Sequence, residues 1–149
     1  MRFRHRIVET QSEAQTIAFA RSVADDVQAG DVILLEGDLG MGKSVFSRAL
    51  IRAVCQNDAQ DVPSPTFTLV QTYDSPKGLI WHFDLYRLTD PSEIYEIGWE
   101  EALSGGISLV EWPDRLGGMT PKRFIEVSFS GKKGAPDYRK IEIEYHGQA

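Results

Sequence analysis

One cysteine, Cys55, is all the chain has, so no internal disulfide can form. That fits a reducing compartment, and the cytoplasm is the expected location. Cys55 lies in an apolar helical stretch and reads as a small buried hydrophobe, not as a nucleophile. No apolar run approaches the ~20 residues a membrane span needs, so no membrane association is expected. The basic start, Met1-Arg2-Phe3-Arg4-His5-Arg6, is not followed by an apolar stretch, and no signal peptide is read there. An excess of positive charge is lacking too. The formal net charge is -6, which argues against strong nucleic-acid binding by this chain alone, because phosphate neutralisation supplies most of that affinity. Arg2, Arg4 and Arg6 alternate along a predicted strand and project on one face. A solvated strand face is the expected reading, a local basic patch the other. Repeats, low-complexity tracts and dividing linkers are absent. With 149 residues, one domain spanning 1–149 is expected.

What is there is a regular alternation of elements. Met1 to Glu9 reads as a strand. Ser12 begins a helix, three residues before Gln15, the spacing of a capping box. Ile17, Ala20, Val23, Ala24 and Val27 follow at helical spacing, and Gly30 suits the stop. Asp31 to Glu36 is a short apolar run, best read as a buried strand. Residues 43 to 55 form the next helix. Val62-Pro63-Ser64-Pro65 is a loop, since each proline pushes its predecessor out of helical geometry. Phe67 to Tyr73 and Leu79 to Leu85 are predicted to form an antiparallel hairpin around Asp74–Gly78. Asp90 to Leu103 reads as one or two short helices with a break near Gly98. Ile107 to Glu111 is a buried strand, and Phe124–Phe129 and Tyr138–Tyr145 are two closing strands. The order predicts a three-layer α/β/α domain whose mixed sheet has a parallel centre and antiparallel additions.

Between the buried strand and the second helix lies Gly37-Asp38-Leu39-Gly40-Met41-Gly42-Lys43-Ser44. It matches G-x-x-x-x-G-K-[ST] at every fixed position. Glycines let the backbone curl so that successive N–H groups cradle phosphate oxygens. The helix that follows presents its positive end to the same anion. Lys43 adds a full charge toward the β- and γ-phosphates, and the Ser44 hydroxyl suits magnesium. The strand-loop-helix setting that this motif requires is met, so the fold is expected to be a P-loop NTPase domain binding a purine nucleoside triphosphate with Mg2+. A glycine-rich turn without ligand is the bland alternative.

Such a site needs a carboxylate to hold magnesium, directly or through water. Glu111 ends a strand apolar enough for the middle of a sheet, where carboxyl ends line the ligand crevice. An exposed strand-end glutamate is the alternative. Asp84 ends Leu79-Ile80-Trp81-His82-Phe83-Asp84, and composition alone leaves its role open. Ser64 and Thr66 could bring a hydroxyl to magnesium or the γ-phosphate, or could cap a helix or strand. His82, a single histidine between Trp81 and Phe83, reads as structural. Trp112 either packs beside the nucleotide, forms a partner surface, or belongs to the core. No N-K-x-D is present, so common guanine recognition is unsupported. No arginine-rich lid and no cluster of metal-binding histidines or cysteines stands out.

Four segments together resemble one family. They are the loop Gly37–Ser44, then Ser64-Pro65-Thr66-Phe67-Thr68-Leu69-Val70, His82-Phe83-Asp84-Leu85-Tyr86-Arg87-Leu88 and Glu111-Trp112-Pro113, in that order. The chain resembles the TsaE (YjeE) family, small bacterial ATPases that support threonylcarbamoyladenosine formation on tRNA. The resemblance covers roughly residues 8 to 142. The family usually has Thr where this chain has Ser44, and both hydroxyls can ligate magnesium. The resemblance implies that Lys43 and the Gly37–Gly42 backbone hold the phosphates of ATP and that Ser44 and Glu111 serve Mg2+. It implies a switch-like loop position for Thr66, a functional carboxylate at Asp84 required for hydrolysis or its coupling, and a place beside the site for Trp112. Ser12 resembles a position near the nucleoside, and Arg139 one that caps the adenine side. Family members work with TsaB and TsaD, and TsaD carries the transfer chemistry, so tRNA would be met only through the complex. The implied function is a slow, partner-stimulated ATPase. A small-molecule or nucleoside kinase is the main alternative, and a nucleotide-binding module without useful turnover is another. A kinase usually needs a lid that excludes water, and little chain remains to build one.

Overall fold

Val32, Ile33, Leu34 and Leu35 form a run with no polar member, and in a strand such a run must be covered on both faces. The computed structural model, which describes residues 5–38, 40–65 and 67–147, covers it in that way. Strand β2, Val32–Glu36, is the middle of a seven-stranded sheet. Ile33 and Leu35 enter one core, and Val32 and Leu34 enter a second core on the opposite face.

The elements follow as β1 (His5–Thr10), α1 (Glu13–Asp26), β2, α2 (Lys43–Cys55), β3 (Val70–Tyr73), β4 (Ile80–Asp84), a 3-10 turn (Pro91–Ile97), α3 (Trp99–Leu103), β5 (Ile107–Glu111), a second 3-10 turn (Pro113–Met119), β6 (Phe124–Lys132) and β7 (Ala135–His146). Their order across the sheet is β1-β7-β6-β2-β5-β4-β3. Strands β6, β2, β5 and β4 run parallel. Strand β3 adds to one edge antiparallel, and β7 adds antiparallel to β6 at the other, with β1 paired antiparallel to β7. The expected parallel centre with antiparallel additions is present.

Helices α1 and α2 cover the first face. Phe46 of α2 meets Phe129 edge-on at 5.4 Å and Phe19 of α1 at 6.2 Å. The second face carries only short pieces. Ile94, Trp99, Ala102 and Leu116 close over Val32, Leu34, Phe83 and Val110, with Trp99 edge-on to Phe83 at 5.2 Å. Gly98 separates the first 3-10 turn from α3 at φ 95°. A Cβ there would stand 2.4 Å from the Trp81 ring, so the expected break sits where only glycine fits. Among the described residues no helix is long and apolar enough to cross a membrane.

Several local expectations are corrected. Ser12 does cap α1, its Oγ accepting from the Gln15 N–H at 3.2 Å, but Gln15 Oε1 accepts from the Gln11 N–H at 2.6 Å and not from that of Ser12. Helix α1 stops at Asp26, with Val27 as its cap, before Gly30 is reached. Strand β3 starts at Val70, because Leu69 is left-handed at φ 68° and Phe67 is 80% exposed. Arg6 lays its guanidinium over Phe19, 5.4 Å from the ring centre, and so covers core instead of joining a solvated face. Arg2 and Arg4 lie outside the described residues. Cys55 is half-buried against the α1–α2 core, and burial pushes its thiol above the usual range.

Glu36 ends β2 on the second face, beside Glu126 of β6. Its pKa is pushed up from 4.5 to about 7, first by burial, then by the hydrogen bond and charge of Glu126 and by Asp114, with His146 opposing. The folded chain therefore holds this proton longer than the unfolded one. The stability this brings is fully present below 4.5 and is lost as pH rises through about 7. Glu36→Gln is expected to raise the melting temperature near pH 8 and to bring little gain near pH 4.5. The side chain is only half-buried, so solvent screening keeps the gain under about 1 kcal/mol, a few degrees at most. Melting curves at the two pH values check it.

Candidate functional site

The carboxyl ends of the parallel strands meet the amino end of α2. The chain leaves β2 through Gly37, which has φ 142°, and a Cβ on it would lie 2.7 Å from the Phe129 carbonyl oxygen. Gly40 and Gly42 follow at φ 80° and 96°. This left-handed geometry turns the loop directly into the helix, and the Phe46 N–H donates to the Gly42 carbonyl at 3.0 Å. The N-cap is Gly42, no side chain among the described residues caps this end, and the first turn holds no acidic residue. Helix α1 differs, with Ser12 as cap and Glu13 in its first turn. Among the described residues, the opening N–H groups of α2 thus lack the side-chain acceptors that close an ordinary helix end.

Lys43 heads this helix and is 5% exposed. Among the described residues it has no carboxylate partner. Its ammonium lies 4.2 Å from the centre of the Trp112 ring. Trp112 is held in the left-handed region at φ 60°, ψ 53°, a costly backbone for a bulky residue. That turn, directly after Glu111, brings the indole back beside the lysine. Tyr86 packs on the same indole at 4.9 Å. Trp112 thus lines the cleft and also touches the second core.

Asp84 and Glu111 end the adjoining parallel strands β4 and β5 as register partners. Both are buried. Side chains alternate along a strand, so both point to the α2 face, with Ile80, Ile107 and Leu109 behind them. Sheet spacing holds their backbones about 4.8 Å apart. The Asp84 N–H donates to the Leu69 carbonyl at 2.9 Å, which ties β4 to the end of the proline-rich loop. Its Oδ1 accepts from the Tyr86 N–H at 3.1 Å. Glu111 Oε2 is bonded to His82 Nε2 at 2.7 Å.

These groups face a cleft of about 530 Å³. Of the residues singled out from sequence, Ser12, Gly40, Gly42, Lys43, Ser44, Ser64, Asp84, Glu111, Trp112 and Arg139 line it. Gly37, Asp38 and Met41 do not. Gly37 is wedged against Phe129, Asp38 points outward while its carbonyl accepts from the Met41 N–H, and Met41 packs beside Gly131 and the α1–α2 core. Leu39 and Thr66 lie outside the described residues. Arg139 straps the loop. Its Nη2 donates to the Gly40 carbonyl at 3.0 Å, and its Nη1 donates to the carbonyls of Pro136 and Tyr138 at 2.8 and 2.6 Å. The cleft also takes Glu13, Thr16, Val45, Tyr86 and Asp137, which sequence reasoning missed. Only the seating of Glu13 and Thr16 one turn apart, beside Ser12, could have signalled two of them. Arg87 and Arg115 do not line it. They lie over the rings of Phe67 and Tyr86 at 4.4 and 6.0 Å.

The arrangement offers an anion cradle facing two carboxylates. A family model described as threonylcarbamoyl adenosine biosynthesis protein TsaE matches residues 10–141. This chain belongs to the TsaE family. Among its relatives, the tRNA threonylcarbamoyladenosine biosynthesis protein TsaE of Rickettsia bellii is 45% identical over 117 residues, 78% of this chain and 81% of that one. The protein of the same name from Aquifex aeolicus is 36% identical and covers 87% of this chain and 93% of its own. The one from Bacillus subtilis is 33% identical, covering 89% and 80%. The crystal structure of Bacillus subtilis YdiB superposes with a TM-score of 0.71 over 99% of this chain and 89% of that one, at 24% identity. That likeness concerns the fold.

Proposed function

We propose that this chain binds ATP with magnesium in the cleft, hydrolyses it slowly, and serves tRNA threonylcarbamoyladenosine synthesis by acting on a TsaB–TsaD complex. One observation carries the reading: an uncapped helix end and a buried lysine without a carboxylate partner among the described residues converge on one cleft. Both need an anion, and a triphosphate supplies it. Membership in the TsaE family supports the pathway.

In this reading the backbone N–H groups of Gly40 to Ser44 bind phosphate oxygens, and Lys43 neutralises charge on the β- and γ-phosphates. Arg139 keeps the loop curled through Gly40, and its guanidinium closes the outer side of the cleft with Ser12 at the nucleoside end. The Ser44 hydroxyl and Glu111 would hold Mg2+, and Asp84 stands beside them. The donor set fits, because hydroxyl and carboxylate oxygens are what this hard cation takes. Bound there, magnesium would neutralise charge developing on the transferred phosphoryl group. Thr66 is assigned to the loop near the γ-phosphate. No arginine enters from Arg87 or Arg115, since both rest on aromatic rings at the rim.

Intrinsic turnover is slow when transition-state charge is left unneutralised or the attacking water is poorly held. The isolated chain is therefore expected to hydrolyse ATP weakly and to be stimulated by TsaB and TsaD. Its binding to that assembly is expected to differ between ATP and ADP, because a switch must contact its partner differently in its two states. Steady-state assays and pull-downs with ATP, ADP and a non-hydrolysable analogue test this. Equal binding in all three states with unchanged turnover refutes it, and acceptor-dependent ATP use would favour a kinase.

A further inference from the structure

His82 lies two residues before Asp84 on the same face of β4, diagonal to Glu111 across the β4–β5 ladder. His82 is 2% exposed and does not itself line the cleft. Its Nε2 stands 2.7 Å from Glu111 Oε2, a buried hydrogen bond between the two side chains. The other ring nitrogen, Nδ1, is buried with no partner among the described residues. A histidine kept for packing alone would not leave that nitrogen bare, since a buried unpaired polar atom costs stability that an apolar side chain would not. The bond to Glu111 is what this position retains. Side-chain rotamers of a glutamate are otherwise several, and one fixed oxygen selects among them.

We propose that His82 is a positioning residue: it holds one oxygen of Glu111, so that the carboxylate would present its remaining acceptor capacity to a cation bound in the cleft. This rests on the assignment of Glu111 to magnesium made above. Partners one step behind a metal-binding carboxylate typically change metal affinity about 10–100-fold when removed. His82 therefore acts through Glu111 and touches neither nucleotide nor metal.

Two variants separate this from a structural role. In His82→Gln the amide nitrogen reaches about where Nε2 lies. In His82→Asn it reaches only as far as Nδ1. Both bury one amide, so their folding cost is similar. The readout is Mn2+ affinity in the presence of a non-hydrolysable ATP analogue, followed by electron paramagnetic resonance, with nucleotide affinity in EDTA as control. His82→Asn is expected to weaken Mn2+ binding about tenfold or more, and His82→Gln to stay within about threefold of the parent. Affinity in EDTA should be unchanged in both. In a Glu111→Gln background, His82→Asn should add less than about twofold, because the two residues act as one unit. Equal losses in the Asn and Gln variants, or a full loss on top of Glu111→Gln, overturn the positioning role and leave the proposed function intact. If Glu111→Gln alone leaves Mn2+ affinity unchanged, the magnesium assignment of Glu111 fails, and the role of His82 falls with it.

Discussion

Lys43→Ala is expected to lower the affinity for MgATP at least ~30-fold, because losing one partner of a buried charge pair typically costs ~2–5 kcal/mol. The side chain is 5% exposed and heads a helix with no acidic residue in its first turn. The only described company of its ammonium is the face of Trp112 at 4.2 Å. A cation–π contact of that kind is worth about 2 kcal/mol when desolvated, too little to repay burying a full charge. In the proposed reading the triphosphate is the anion that completes the balance. Alanine is a good helix former, so the variant should fold, and melting curves establish that. Lys43→Met is the sharper companion, since it keeps an unbranched stem over the indole and removes only the charge. Both variants should fail in calorimetric titration with MgATP. Near-parental affinity in a folded Lys43→Met protein would remove the lysine from the phosphate site.

The strand-loop-helix turn through Gly37–Ser44 was legible because its signal is local. Eight consecutive residues hold the glycines, the lysine and the hydroxyl, and the flanking strand and helix are signalled by their own apolar periods. The helix over 43–55 and the strand Ile107–Glu111 match their predicted bounds. The break at Gly98 was legible for the same reason, as one residue sets the backbone there.

What could not be read depends on residues far apart in the chain. Arg139 reaches Gly40 from a strand at the other end of the sequence. Its spacing carries no signal of that bond, which exists only because β7 pairs with β6 and β6 lies beside β2. His82 read as structural because no second histidine or cysteine stands near it in sequence. Its partner is Glu111, brought close only by the parallel pairing of β4 and β5. Phe67 read as the start of the hairpin's first strand, yet the turn through Leu69 leaves it outside the sheet. The 3-10 turn Pro113–Met119 had no apolar period to announce it. Pro113 and Leu116 are its buried members, and Gly117 breaks its helical geometry at φ 54°.

Glu111→Gln is expected to leave MgATP affinity within about tenfold of the parent, roughly 1.4 kcal/mol, while turnover falls on the order of 100-fold. The two effects are expected to separate because the proposed site assigns the phosphates chiefly to Lys43 and the loop backbone, not to Glu111. The amide keeps the volume of a buried side chain and can still bond to the ring of His82. It lacks the charge that fixes a hard cation and orders its water shell. Asp84→Asn is the paired test, as Asp84 is the register partner of Glu111 and equally buried. The two carboxylates differ in their hold on the rest of the chain. Glu111 is tied to His82 on the sheet. Asp84 bonds the Tyr86 N–H, and its own N–H bonds Leu69 at the end of the Ser64–Thr68 segment. Loss of charge at Glu111 should therefore raise the magnesium concentration needed for half-maximal turnover. Loss at Asp84 should instead reduce stimulation by TsaB and TsaD along with the basal rate. Steady-state rates at saturating ATP, with magnesium varied and with the partners present or absent, distinguish them. Unchanged turnover in Glu111→Gln together with a raised magnesium requirement in Asp84→Asn would exchange the two assignments.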